Sequence, residues 1–199
     1  AEMLIQKSAE FNINLNDKDA HGRTAFHLAC QNGPSNIAEM FLQKSAELNI
    51  KLNEKEFSGK TGFHLACRNG QSNIAEMLIQ KSAEFNIKLN DKDKHGMTAF
   101  HLACSHGHSN IAEILIQKSA EFNINLNAKD AGGMTSFHFA CKKGHSKVAK
   151  VLIQKSAELN IDLNAKDRYG RSAFYYACNY GHSKIAERLM QKPSEFNID

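Results

Sequence analysis

A period of 37 residues runs through the whole chain. The word TAFHLAC at Thr24–Cys30 returns as TGFHLAC at 61–67, TAFHLAC at 98–104, TSFHFAC at 135–141 and SAFYYAC at 172–178. Gly22, Gly59, Gly96, Gly133 and Gly170 keep the same register. A fixed period of this kind marks a solenoid, in which each unit buries its apolar face against its neighbours. The units read as 17–53, 54–90, 91–127, 128–164 and 165–199. Residues 1–16 match the second helix of a unit, so the chain is expected to be a piece of a longer array.

Within the unit 91–127, the segment DKDKHG suits a tight polar turn. Thr98 stands where an N-cap belongs, at the start of a helix expected from Ala99 to about Ser105. Gly107 ends that helix. Ser109 is placed to cap a second one, in which Ile111, Ala112, Ile114, Leu115 and Ile116 cluster at helical spacing. Each unit is thus turn, short helix, loop and longer helix.

On these residues the chain resembles the ankyrin-repeat family, whose T-P-L-H-x-A pattern appears here as T-A-F-H-L-A, with G-H following at 107–108, 144–145 and 181–182. The resemblance covers residues 1–199 and implies an all-α solenoid of helix-loop-helix units joined by short β-turn or hairpin connections. Two departures stand out. Ala25, Gly62, Ala99, Ser136 and Ala173 replace the family's proline, which removes a residue preset for the first helical position. Each unit also carries four extra residues within KSAEFNINLN, about one helical turn. A lengthened second helix is predicted, with Phe85 and Phe122 tucked against a neighbour; the alternative is a longer loop.

His27 and Cys30 share a helical face, which raises the question of a metal or redox site. A structural zinc needs four converging ligands, whereas neighbouring helices sit roughly 8–10 Å apart, and the histidine becomes Tyr175 in the fifth unit while Cys178 stays. The structural reading is therefore preferred. In it Thr24, Thr61, Thr98, Thr135 and Ser172 cap. His27, His64, His101, His138 and Tyr175 stand in the capping-box position. Cys30, Cys67, Cys104, Cys141 and Cys178 pack as small hydrophobes. The resemblance implies that the histidines also tie each turn to the next unit's backbone. Five evenly spaced cysteines make no disulfide framework and suit an intracellular, cytoplasmic setting. No cofactor, metal site or catalytic constellation is expected, and no apolar run approaches a membrane span.

Function should lie where the units differ: at the turn tips and at the ends of the first helices, which in the family line a concave groove that grips protein partners. The candidates are His21, Arg23, Phe57, Lys60, Arg68, Lys94, His95, Met97, His106, Met134, Lys142, Lys143, Arg168, Tyr169, Arg171 and Tyr180. Of 25 such variable positions, eight are Lys or Arg and none is Asp or Glu, although the net charge is only +4. A row of lysines at 18, 55, 92, 129 and 166 is expected to add to this. The expected partner is a protein or peptide, acidic or phosphorylated. The competing readings are a regulatory or targeting segment of a larger enzyme or channel and, on weaker grounds, a nucleic-acid or metal/redox module. The tyrosines gathered in the fifth unit have the composition of an interaction hot spot or of a diverging terminal unit.

Overall fold

Helix starts are set by the Thr-x-x-His pairs. At 24–27, 61–64 and 98–101 the threonine hydroxyl accepts from the histidine backbone N–H at 3.4–3.5 Å, and the threonine N–H donates to the imidazole Nδ1 at 3.1–3.3 Å. Thr135 and His138 form the same capping box. This reciprocal bonding satisfies two groups that a helix N-terminus otherwise leaves bare, and it offsets the missing proline.

In the computed structural model, which describes Lys7 and residues 13–191, these caps open a regular stack of helix pairs. Each unit contributes a short first helix and a longer or equal second one. The pairs are α1 (Ala25–Asn32) with α2 (Ser35–Gln43), α3 (Gly62–Arg68) with α4 (Ser72–Gln80), and α5 (Ala99–Ser105) with α6 (Ser109–Gln117). Then follow α7 (Ser136–Lys143) with α8 (Ser146–Leu159), and α9 (Ala173–Asn179) with α10 (Ser183–Met190). No strand occurs among the described residues, so the fold is all-α.

The core is one column between the two helix layers. Phe26, Phe63, Phe100 and Phe137 are fully buried, one per unit, beside Ala38, Ala75, Ala112 and Ala149, whose small side chains let the second helices approach. Burying each phenylalanine is worth roughly 1.5–3 kcal/mol. Successive first helices pack on each other far more extensively than successive second helices do.

Two expectations need correction. Ser109 is the first helical residue rather than the cap: the N-cap is His108, whose side chain makes no capping bond and reaches back to the preceding unit instead. The extra four residues extend the second helix without a break only in α8; in the three units before it they run on as successive turns. There Lys44 and Leu48 keep helix-type bonds, to Met40 O and Lys44 O, while Ser45 N shortens its reach to Leu42 O. The hexapeptide QKSAEL is identical at 43–48 and 154–159, so nothing within it explains the difference.

All four segments end alike. Asn49, Asn86, Asn123 and Asn160 are left-handed, with φ of 50–54°, and the next residue's N–H bonds back five positions, Ile50 to Ser45 O at 2.8 Å and Ile87 to Ser82 O at 2.9 Å. This is a Schellman closure with asparagine in the place usually taken by glycine. Leu48, Phe85, Phe122 and Leu159 pack from these segments against the core.

Candidate protein-interaction face

Four sets of ties lock neighbouring units, and they decide which residues are left over for a partner. The first comes from the buried histidines. Because Nδ1 accepts from the threonine N–H, the proton must sit on Nε2, which donates to the carbonyl of Lys60, Met97, Met134 and Arg171 in the next unit at 3.1–3.2 Å. Burial is the main reason that His27, His64, His101 and His138 hold their protons less readily than a free imidazole. They are neutral joints.

The second set points the other way. Gln71, His108, His145 and His182 bond the last-turn carbonyls of Gln31, Arg68, Ser105 and Lys142 in the preceding unit at 2.8–3.2 Å. His108 lies over Gly70 so closely that a Cβ there would stand 2.8 Å from its ring. In the third set, Asn16, Asn53, Asn90 and Asn127 clamp the next unit's Asn closure, donating to the carbonyl of Asn49, Asn86, Asn123 and Asn160 and accepting from the N–H two residues on. These asparagines were visible as a repeat, but repetition alone does not reveal that one carboxamide grips a backbone from two sides.

The lysine row forms the fourth set. Lys18, Lys55, Lys92 and Lys129 each donate to the carbonyl of the next lysine in the row, at 2.8–3.4 Å, and Lys18 and Lys55 also pair with Glu54 and Asp91. The row is a ladder between units rather than a reservoir of free charge.

Several candidate cations are likewise engaged. Lys60 is buried, donates to Ser58 Oγ at 2.7 Å and sits 3.2 Å from the buried Asp93 Oδ2, so it cannot meet a partner. Sequence reading placed it at a tip; the next unit covers it. Met134 is buried too. Arg23 pairs with Asp19 at 2.8 Å, and its guanidinium bonds are the chief reason that carboxyl is pushed down to about 2. Arg171 pairs with Asp167 at 2.8 Å while stacking over Tyr169 and Tyr176, with 4.5 and 5.0 Å from its guanidinium carbon to the ring centroids. Burial works to raise the Asp167 carboxyl, yet bonds from Tyr176 and Arg171 outweigh it and hold the group below its usual range.

What remains open lies on the first-helix side. Arg68, Lys94 and Lys143 are exposed and engage no carboxylate among the described residues, and half-buried Lys142 rests over the Tyr176 ring at 5.4 Å. His21, His95 and His106 are exposed and Met97 is half-buried. Phe57, Tyr169, Tyr175 and Tyr180 are large exposed apolar side chains here, at 63%, 69%, 46% and 51%. Arg168 is exposed, although one of its amines donates to Ala131 O at 2.9 Å. His106 donates from Nδ1 to Leu102 O at 2.9 Å and stacks on His108; burial first, then nearby Arg68, His108 and His145, make it harder to protonate.

The cysteines divide by position. Cys30, Cys67, Cys104 and Cys141 are buried and burial pushes their thiols far up, whereas Cys178 is exposed. Packing as a small hydrophobe therefore does not describe Cys178, on which no further unit stacks among the described residues. No group of three or more metal-ligating side chains comes together among those residues, and none of their helices is long and apolar enough to cross a membrane.

Comparison with known families matches this arrangement. The family model for ankyrin repeats (3 copies) matches residues 49–130 and 123–199, and that for ankyrin repeats (many copies) matches 8–61. No curated protein matches the chain at a significant level. With helix pairs stacked at a 37-residue period, capped by Thr-x-x-His and matched by these models across most of its length, the chain belongs to the ankyrin-repeat family.

Proposed function

We propose that the chain is a non-catalytic interaction module whose first-helix face holds an acidic or phosphorylated protein segment. Ankyrin repeats are generally protein–protein interaction modules, which sets the class of partner. The observation that carries the finer reading is the separation of charge. Arg68, Lys94 and Lys143 are left unpaired, with Lys142 beside them, and no Asp or Glu stands at the variable positions of this face. The turn-tip acids Asp19, Asp93, Asp130 and Asp167 spend one carboxylate oxygen on backbone N–H groups of their own turn. Charge of one sign therefore faces outward, which favours an anionic partner and speeds its encounter. Five unpaired cysteines suit a reducing, intracellular compartment.

A direct test is the binding of a fluorescent 20-residue poly-glutamate peptide to the wild-type chain and to a variant carrying Arg68→Glu, Lys142→Glu and Lys143→Glu. Wild-type binding should weaken with salt, and the variant should lose at least about ten-fold in affinity, as expected when three attractive contacts become repulsive. Equal binding by both proteins would sink the proposal.

A further inference from the structure

The rows at the ends of the first helices are not uniformly basic. At the position equivalent to Arg68 the units present Gln31, Arg68, Ser105, Lys142 and Asn179, and at the next position Asn32, Asn69, His106, Lys143 and Tyr180. Unit two therefore offers a cation, unit three none, unit four two, and unit five an aromatic ring.

The third unit does more than omit a charge. His106 gives its Nδ1 proton to Leu102 O, and a carbonyl can only accept, so the Nε2 of the neutral ring is left as an acceptor. An acceptor repels a carboxylate and welcomes a hydroxyl or amide donor. In the fifth unit Tyr180 stacks on Tyr176 and His182 in near-parallel planes, at centroid distances of 6.3 and 6.5 Å, while half of it stays exposed. Lys142 and Arg171 already lie over the neighbouring Tyr176 ring, 5.4 and 5.0 Å from its centroid. A cationic residue of a partner would be repelled there, so the exposed ring face suits an aromatic side chain.

Spacing converts this order into a pattern. Neighbouring packed helices lie about 8–10 Å apart, and an extended chain advances about 3.3 Å per residue, so one unit matches about three residues of an extended peptide. We infer that the partner segment is an extended peptide with anionic side chains at positions i and i+6, a non-acidic hydrogen-bond donor at i+3 and an aromatic residue at i+9. The inference rests on the acidic-partner reading above and deepens it. Position i meets Arg68, i+3 meets His106, i+6 meets Lys142 and Lys143, and i+9 meets Tyr180. A nucleic-acid strand fits less well, because phosphates recur at every nucleotide while this row supplies cations in alternate units.

The test is fluorescence anisotropy with the full chain and a labelled 12-residue peptide carrying Glu at i and i+6, Ser at i+3 and Trp at i+9, made in both chain directions. The control has the same composition with its two Glu residues adjacent. One direction of the spaced peptide should bind at least about ten-fold more tightly than the control. Arg68→Glu and Lys143→Glu should each weaken it about five-fold or more, and Tyr180→Ser should abolish the gain from Trp while leaving the Glu contribution intact. Melting curves of the variants establish that they fold. Equal affinity for spaced and control peptides would overturn the pattern but leave an acidic partner in place. Failure of both peptides to bind at millimolar concentration would overturn both readings. Tighter binding of a 12-nucleotide oligo-dT than of either peptide would overturn both in favour of nucleic acid.

Discussion

Unit three and unit five are built from the same 37-residue template, but they hold their turns differently. In unit three the buried His101 joins Thr98 to the carbonyl of Met134 in the following unit, and Asp93 is met by Lys60 from the preceding one. In unit five Tyr175 occupies the histidine's place, exposed and without that tie, while Asp167 is satisfied from within by Tyr176 and Arg171. Unit three draws the partner of its turn aspartate from the unit before it; unit five supplies that partner itself. The difference teaches that the recurring word is a joint between units: where a following unit stacks on it the histidine and thiol are buried, and in unit five Tyr175 and Cys178 are exposed.

The largest expected effect of this contrast is in thiol reactivity. Cys178 should react with a thiol reagent within minutes, whereas Cys30, Cys67, Cys104 and Cys141 should react only as the stack opens, orders of magnitude more slowly. Mass spectrometry of the modified peptides checks this. Fast labelling of Cys104 would break the comparison.

Stability comes next. His101→Ala removes two buried bonds and leaves the Thr98 N–H and the Met134 carbonyl unsatisfied, which should cost about 2–4 kcal/mol in denaturant melts. Tyr175→Ala, at a site 46% exposed, should cost less than about 1 kcal/mol.

Acid should act on the interior units through the same joints. His27, His64, His101 and His138 have folded-state pKa values lowered chiefly by burial, so the unfolded chain takes up protons first as pH falls. Stability should be full above about pH 6.5 and decline below it, as the unfolded histidines begin to charge. Glu56, Asp93, Asp130 and Asp167 work against the burial effect, while Lys18, Lys55, Lys92 and Lys129 reinforce it. Thermal melts at pH 7.5 and 5.5 measure the decline. A Tyr175→His variant should show no added acid sensitivity, because its imidazole would lie at an exposed site.

The smallest effect sharpens the unit-five half of the contrast. Tyr176→Phe removes the 2.7 Å bond to Asp167 and should cost about 1 kcal/mol, a loss that Leu102 or Phe139 at the equivalent interior positions cannot suffer.

Much of this was legible in the residues. Period fixes unit length, Thr-x-x-His fixes where four of the first helices begin, and the apolar spacing of SNIAEILIQ and its equivalents fixes the second helices, because these are local preferences repeated from unit to unit. The candidate face was legible only as a list of variable positions. Sequence could not tell Lys60 from Lys94, although both are lysines at turn tips. One lies beneath the next unit against Asp93 and the other faces solvent, and only the stacking distance between units separates them.

By itself, then, the sequence determined the repeat, its caps and the all-α stack, since short-range bonding and the burial of periodic apolar side chains leave little alternative. Tertiary structure decided which charges are free. Lys18, Lys55, Lys60, Lys92 and Lys129 find their partners 33 to 37 residues away in the chain, and no local rule can pair groups that only the packing of one unit on another brings within hydrogen-bond reach.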